Sequence, residues 1–579
     1  MNNQKSTINH QQSRPRDIDR DLFLVAAVAS ALSLLSFLYY FQRGEILLYG
    51  DAVAHINIAR RVFDSQTPGL LQLGTVWLPL PHLLMIPFLV SDWMWQTGLG
   101  GSIPSMIAYA LGVTGIFRLM RCLLEDDERT RSGARTAAWL AALIYGANPN
   151  LIYLQTTAMT EPLYLGLFIW AVTYFAEFRR LSIRESVNSS ALWRPLNRCS
   201  WCLAGAELTR YDGWFLAIAI GAAIMFALLR RWNDRIFRGA ALKFLAAIAA
   251  APLLWLAYNG AVYGNPLEFA NGPYSAKAIE RRTAQPGYPS HPGSNNVITA
   301  ASFFLKSAEL NMAEGNWGRI WIAIALVGSL AGMRLRTRGV VLLLWVPLVF
   351  YALSIAYSGV PLFLPAWWPY TWYNLRYGLQ LLPLFAVSAG LIVSTALAIP
   401  APGRSTEKKR FAPLLKRWPD TNLLLHACTA VVLAMVALSY AFVWKAQPLC
   451  FKEAWINSRT KLALESSVAR VVAALPHDSR YLMYVGDHVG AFQQAGIPLR
   501  QVINEGNHRP WKKPMDPQGL WEQALADPPR HVDFVIAYEG DAVDQAVQRT
   551  GLTLQQEIHT LGQPRARIYA VRSALNQSR

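Results

Sequence analysis

The stretch "YGDAVAHINIARRVF", which begins at Tyr49, carries Asp51, His55, Arg60 and Arg61 directly after an apolar run. Asp51 and His55 stand four residues apart, so a helix puts both on one face. A carboxylate so placed is suited to take a proton from a hydroxyl. An arginine is suited to hold a phosphate, because its planar guanidinium binds two oxygens at once. Four more stretches carry such groups: Glu161 in "TTAMTEPLYLGL", Arg210 and Asp212 in "LAGAELTRYDGW", Lys277 in "PYSAKAIERR", and Arg376 with Tyr377 in "NLRYGLQLLP". His82, Asp92, Glu268, Arg281, Arg282 and Arg319 complete the set. Each of the main candidates has an ordinary structural alternative. Asp51 follows Gly50 and fits a helix N-cap. Glu161 complements a helix dipole. Asp212-Gly213 is a turn dipeptide, and an arginine entering a membrane helix, as Arg376 does, fits snorkelling.

What sets these residues apart is the side of the membrane they share. The chain has 579 residues, 53% hydrophobic and 16% charged, where a soluble protein carries about 25% charged residues. Apolar windows near the ~20 residues needed to span a bilayer recur through residue 444 and then stop. The expected fold is an α-helical polytopic membrane protein of about 11 transmembrane helices with a small C-terminal α/β extracytoplasmic domain. The helices are read at 22–41, 102–120, 136–148, 161–178, 199–209, 214–229, 240–262, 318–333, 339–357, 374–398 and 421–444. The first follows a polar, basic leader with no small-residue cleavage site, so it reads as a retained helix.

The net charge of +18 has an explanation in topology. Alternating sides collects loops 1–21, 118–135, 179–198, 230–243, 334–338 and 404–417 on one face, with 28 Lys and Arg against 10 on the other up to residue 444. The positive-inside rule puts the first set, and the N-terminus, in the cytoplasm. The candidate residues then all fall outside, periplasmic if the cell is bacterial. No aromatic-interleaved basic stripe for nucleic acid is present.

Three units follow: a cytoplasmic leader 1–21, a transmembrane unit 22–445 with large external loops 42–101 and 263–317, and a soluble tail 446–579. The first loop opens with a helical pattern. It continues with "VWLPLPHLLMIPFLVSDWMW", too proline-broken for a plain crossing, so a surface-lying or re-entrant segment is expected. In the second loop, 284–296 reads as mobile. Segment 199–229 reads as a short limb of eleven residues, a charged turn at "LTRYDGW" and a return; charges at such depth usually face a cavity or a partner. The tail alternates strand-type runs ("RYLMYV", "HVDFVIAY", "RARIYAV") with helix-type runs ("GLWEQALA", "DAVDQAVQRT"). Cys199 and Cys202 form a C-x-x-C without a second ligand pair, which favours packing over zinc.

In this order, "YGDAVAHINIARRV", "TTAMTEPLYLGL", "LAGAELTRYDGW" and "NLRYGLQLLP" resemble the GT-C glycosyltransferases, polytopic enzymes that take a sugar from a polyprenyl-phosphate carrier at the outer membrane face; protein O-mannosyltransferases and the aminoarabinose transferase of lipid A are members. The resemblance covers residues 20–445. It implies that Asp51 is the catalytic base and that Arg376 holds the lipid phosphate. Many members have two adjacent acids in the first loop, whereas Ala52 follows Asp51 here; the second role falls to His55 or to Glu161. Oligosaccharyltransferases of the same fold carry Trp-Trp-Asp and a divalent metal. Here "AWWPYTWYN" has Pro369 in place of the acid, which argues against peptide N-glycosylation and leaves a metal or other cofactor unsupported.

The resulting expectation is an inverting sugar transfer from a polyprenyl-phosphate donor to a hydroxyl on a glycan, lipid or protein. Asp51 and Glu161 are the catalytic candidates. Arg376, Tyr377, Arg210, Asp212, His55 and Lys277 are the substrate- and phosphate-binding ones. The alternative is a transporter or lipid-linked-sugar flippase, whose usual internal repeats and midplane charges are not apparent.

Overall fold

The computed structural model describes residues 15–126, 130–183, 189–284, 289–335, 337, 339–396, 421–486, 488–507 and 517–571. The leader residues 1–14, the basic loop 404–417 and residues 285–288 of the stretch read as mobile lie outside them.

Helix α1 (Pro15–Gln42) leads into the first external loop, which folds as three short helices: α2 (Gly50–Arg61), α3 (Leu80–Leu89) and α4 (Asp92–Thr97). Helix α3 has ten residues, about 15 Å of rise, half of what a bilayer core requires. The loop therefore lies against the bundle, α3 on α2 and α5. Ser91 caps α4 by accepting from the Met94 amide, and Gly98, at φ 80°, turns the chain into α5 (Leu99–Leu124).

The bundle continues with α6 (Ala134–Gly146), α7 (Pro149–Leu154), α8 (Glu161–Ser182), α9 (Ser189–Glu207), α10 (Asp212–Arg230) and α11 (Arg235–Tyr263). The second external loop holds α12 (Glu268–Asn271), α13 (Ala276–Thr283) and α14 (Val297–Met312). Then come α15 (Gly318–Met333), α16 (Val346–Tyr357), α17 (Leu382–Ala396), α18 (Thr421–Ala446) and α19 (Leu449–Ala473). Among the described residues, six helical stretches are long and apolar enough to cross a membrane. The chain is a multi-pass membrane protein.

One expectation is corrected. The limb read as eleven residues from Cys199 is a helix of nineteen, beginning at Ser189. The residues before Cys199 look like a loop because of Arg194, Pro195 and Arg198. Basic side chains nevertheless extend along this surface, the Arg198 guanidinium 5.7 Å from the Tyr174 ring centroid, so the helix keeps its charge without leaving the bundle. Cys199 is buried, its Sγ 3.3 Å from the Ala171 carbonyl oxygen.

Beyond α19 lies a five-stranded sheet of order β2-β1-β3-β5-β4, with β1 (Tyr481–Met483), β2 (Val502–Ile503), β3 (Phe534–Tyr538), β4 (Thr553–Ile558) and β5 (Ala566–Ala570). The first three strands are parallel and the last two antiparallel. Side chains alternate across the sheet. Tyr481, Met483, Phe534 and Ile536 join the core that runs into the helical bundle, while Leu482, Val535 and Ala537 pack on the opposite face with Trp521 and Val543. This unit also grips the first external loop. Gln493 bonds Asn57 and the Trp95 carbonyl, and Asn507 bonds Ser65 and Thr67.

Candidate functional site

Asp51 lies in the first turn of α2, whose N-cap is Tyr49; no side chain caps this helix. The carboxylate is instead turned to Arg376: Nη2 donates to Asp51 Oδ2 at 2.5 Å, across 325 residues of sequence. The N-cap alternative for Asp51 is thereby set aside. Arg376 sits in a 3₁₀ turn (Leu375–Leu381) that enters α17. The turn packs closely on α14 because residue 378 is glycine, where a Cβ would come within 2.5 Å of the Ser307 and Ala308 backbone.

Arg376 spends its remaining donors on two more acids. Nε donates to Glu161 Oε1 at 3.1 Å and Nη1 to Glu453 Oε1 at 2.8 Å. Glu161 is the first residue of α8 and wholly buried. Its Oε1 also accepts from Arg210 Nη1 at 3.1 Å, so one oxygen bridges the two guanidiniums. Arg210 is 3.5 Å from Asp212, too far for a strong hydrogen bond but close for an ion pair, and it donates to the Tyr351 hydroxyl at 2.8 Å. Gly213 makes this hairpin possible, since a Cβ there would stand 2.5 Å from the Ala206 carbonyl carbon. The Tyr377 ring lies 5.2 Å from the Arg210 guanidinium and 5.1 Å from that of Arg376, and Tyr49 flanks Arg376 at 5.1 Å. Neither arginine snorkels; Arg376 is 6% exposed.

Six sequence candidates thus come together: Asp51, Glu161, Arg210, Asp212, Arg376 and Tyr377. Glu453, Tyr49 and Tyr351 join them without having been singled out. Glu453 lies in α19, at the start of the segment read as a separate tail; its Oε2 also accepts from the Leu375 amide at 2.7 Å. The available signal was the amphipathic run "CFKEAWINSR", an acid two residues from Phe451 next to the last crossing.

The other two candidates are placed differently. His55 is one turn along α2 from Asp51 but is buried, its Nδ1 2.9 Å from His82 Nε2. Burial, with the charges of Arg210 and Arg376, holds its pKa down at about 3, so the two rings form a neutral pair with one ring N–H donated across the contact. His82 Nδ1 has no partner. Lys277, on α13, lines the same cavity but makes none of the cluster's contacts.

These groups open onto a cavity of 1890 Å³ between the bundle, both external loops and the C-terminal unit. Of the cluster's four carboxylates only Asp51 reaches it freely. Its side chain is 43% exposed, against 0% for Glu161 and Asp212 and 2% for Glu453. The Arg376 guanidinium holds the exposed carboxylate at the cavity wall, where a carboxylate can accept a proton from a group in the cavity. Among the described residues, no group of three or more His, Cys, Asp or Glu is placed to hold a metal ion.

No family model matches the sequence, and no curated protein does. Solved structures do. ArnT from Cupriavidus metallidurans bound to undecaprenyl phosphate aligns over 95% of this chain and 98% of its own, at 14% identity and a TM-score of 0.53. ArnT in the apo state aligns over 96% and 99%, again at 14% and 0.53. The chain described here shares the GT-C fold with these structures.

Proposed function

We propose that the protein is a membrane glycosyltransferase that moves a monosaccharide from a polyprenyl-phosphate donor to an acceptor hydroxyl at the outer membrane face, with the N-terminus in the cytoplasm and the C-terminal unit outside. The observation that carries this reading is a lone exposed carboxylate, Asp51, held by Arg376 at the wall of a large cavity in a GT-C fold. The comparison with ArnT bound to undecaprenyl phosphate supports the donor class.

In the proposed step the acceptor oxygen attacks the anomeric carbon while the bond from that carbon to the lipid-phosphate oxygen breaks. Asp51 takes the acceptor proton, and the phosphate leaves with the electron pair. One displacement inverts the anomeric centre. Of the three acids around Arg376, Glu161 and Glu453 are buried and cannot be replaced by a ligand. The Asp51 contact is the accessible one. A donor phosphate arriving there competes for Nη2, gains a charge-assisted bond as negative charge develops, and frees the Asp51 oxygen to act as base. Arg210, in contact with Tyr351 and Glu161, adds positive potential from behind, and Lys277 faces the same space.

The test offers isotopically labelled polyprenyl-phosphate sugars to membranes containing the protein and reads products by mass spectrometry. A labelled sugar adduct free of the polyprenyl-phosphate carrier is expected, and its loss in Asp51→Asn. Transfer at the wild-type rate by the purified Asp51→Asn protein would refute the assignment of the base.

A further inference from the structure

Arg60 and Arg61 are neighbours on α2 with opposite fates. Arg60 is 3% exposed and fully bonded, to Asp64, Asp92 and the Leu89 carbonyl. Arg61 points to the cavity, at the far end of the α2 face that begins with Asp51 and passes His55 and Ile58. Its Nε is buried with no hydrogen-bond partner, and it makes no ion pair among the described residues.

A second orphan lies beside it. Gln72 is 4% exposed and lines the same wall. Its Nε2 donates to the Thr67 carbonyl and hydroxyl and to the Gly506 carbonyl, while its Oε1 is buried without a partner. Both groups converge on Gly506 of the C-terminal unit: a Cβ there would stand 2.9 Å from Gln72 Oε1 and 3.1 Å from Arg61 Nη1. Arg282 also lines this end, and the charges of Arg61, Arg282 and Glu505 all act on Tyr274. The Glu505 carboxylate is engaged by the Val485 amide. Buried polar groups are normally paired, and leaving one unpaired carries an uncompensated desolvation cost. An unpaired cation next to an unpaired acceptor fits a ligand that brings an anionic oxygen to the first and an O–H or N–H to the second.

We propose that this end of the cavity is an anion-binding pole for the acceptor, with Arg61 as its cation and Gln72 as its hydrogen-bond acceptor. The inference rests on the glycosyltransferase reading and names its acceptor class: a molecule with a phosphate or carboxylate roughly 15 Å from the hydroxyl that receives the sugar, the rise of α2 over the ten residues from Asp51 to Arg61. It also gives the C-terminal unit a part in acceptor selection, through the Gly506 loop that closes the pole.

The test uses purified full-length protein in detergent, first saturated with undecaprenyl phosphate, then titrated by calorimetry with inorganic phosphate and with glucuronate. At least one of the two is expected to bind, and which one distinguishes phosphate from carboxylate. Losing a charged hydrogen bond is worth about 1.5–3 kcal/mol, so affinity should fall at least about tenfold in Arg61→Gln. It should fall by about threefold or more in Gln72→Leu, a variant that leaves the charge in place. Undecaprenyl phosphate affinity should stay the same in both. Failure of both probes to bind wild-type protein, or wild-type affinity for them in Arg61→Gln, overturns the proposal. If undecaprenyl phosphate itself does not bind wild-type protein, the donor reading falls, and the phosphate and glucuronate titrations without it still decide the pole.

Discussion

Two arginine clusters in this protein are built alike and differ in what they face. Arg376 gathers Asp51, Glu161 and Glu453 and lies against Tyr49 and Tyr377. Arg60 gathers Asp64, Asp92 and the Leu89 carbonyl and lies against Phe63 and Trp95. Around Arg60 the buried acid, Asp64, also accepts from the Leu499 and Arg500 amides. That cluster therefore fastens the first external loop to the C-terminal unit, and neither Arg60 nor Asp64 lines the cavity. Around Arg376 one acid is left open to it. Paired arginines and acids by themselves say nothing of chemistry; what decides is whether an exposed acid faces the cavity, as Asp51 does and Asp92, 68% exposed, does not.

The largest effect is expected from Arg376→Met. It leaves buried Glu453 with the Leu375 amide and no cation, and Glu161 with Arg210 alone, and breaking a buried pair typically costs about 3–5 kcal/mol. Thermal unfolding in detergent should show a clear loss of stability, with no measurable sugar transfer. A stable but inactive variant would mean that the two acids take up protons with little penalty, and the cluster would then contribute less to the fold than its geometry suggests.

Asp51→Asn separates chemistry from stability at the same cluster. Removing a general base lowers rates by about 10²–10⁴-fold. Because the side chain is 43% exposed, its ion pair is solvent-screened, and the unfolding midpoint should move little. Arg60→Met should do the reverse. We expect about 3 kcal/mol of lost stability, at the low end for a buried pair because Asp64 keeps Arg500 and two amides. Transfer per folded molecule should persist. If Arg60→Met abolished transfer while leaving the fold intact, the division between the two clusters would collapse.

Much of the scaffold could be read from sequence because crossings are written locally. The run 318–333 is the helix Gly318–Met333, and the strand-type runs of the tail became β1, β3 and β5. The GT-C fold followed from motif order. What was not legible depends on contacts across hundreds of residues. The amphipathic run around Glu453 marks a helix beside the last crossing but not a partner for Arg376, and the boundary drawn at 446 cut it away from the site. The α9 limb was read short because Arg194 and Arg198 resemble a loop, although long basic side chains can stay on a helix and reach polar surroundings. His55 could be placed on the face of Asp51 by its spacing, but its burial against His82 comes from α3, which no periodicity in α2 announces.

His55 offers the smallest and most selective effect, one that distinguishes the two ends of the α2 face. Burial and the nearby Arg210 and Arg376 charges keep its pKa at about 3, below the ordinary value of 6.5. The unfolded chain therefore binds a proton that the folded protein refuses across this interval. The stability this group provides is complete above pH 6.5 and is lost progressively as pH falls toward 3, at about 1.4 kcal/mol per pH unit once below 6.5. His55→Gln removes that proton. Its unfolding midpoint should consequently fall less than the wild-type midpoint between pH 7 and pH 5, with the two curves diverging as acid is added. Parallel curves would mean that His55 is protonated in the folded protein, and a charged imidazole would then stand beside Asp51 in the place of the second acid that the first loop lacks.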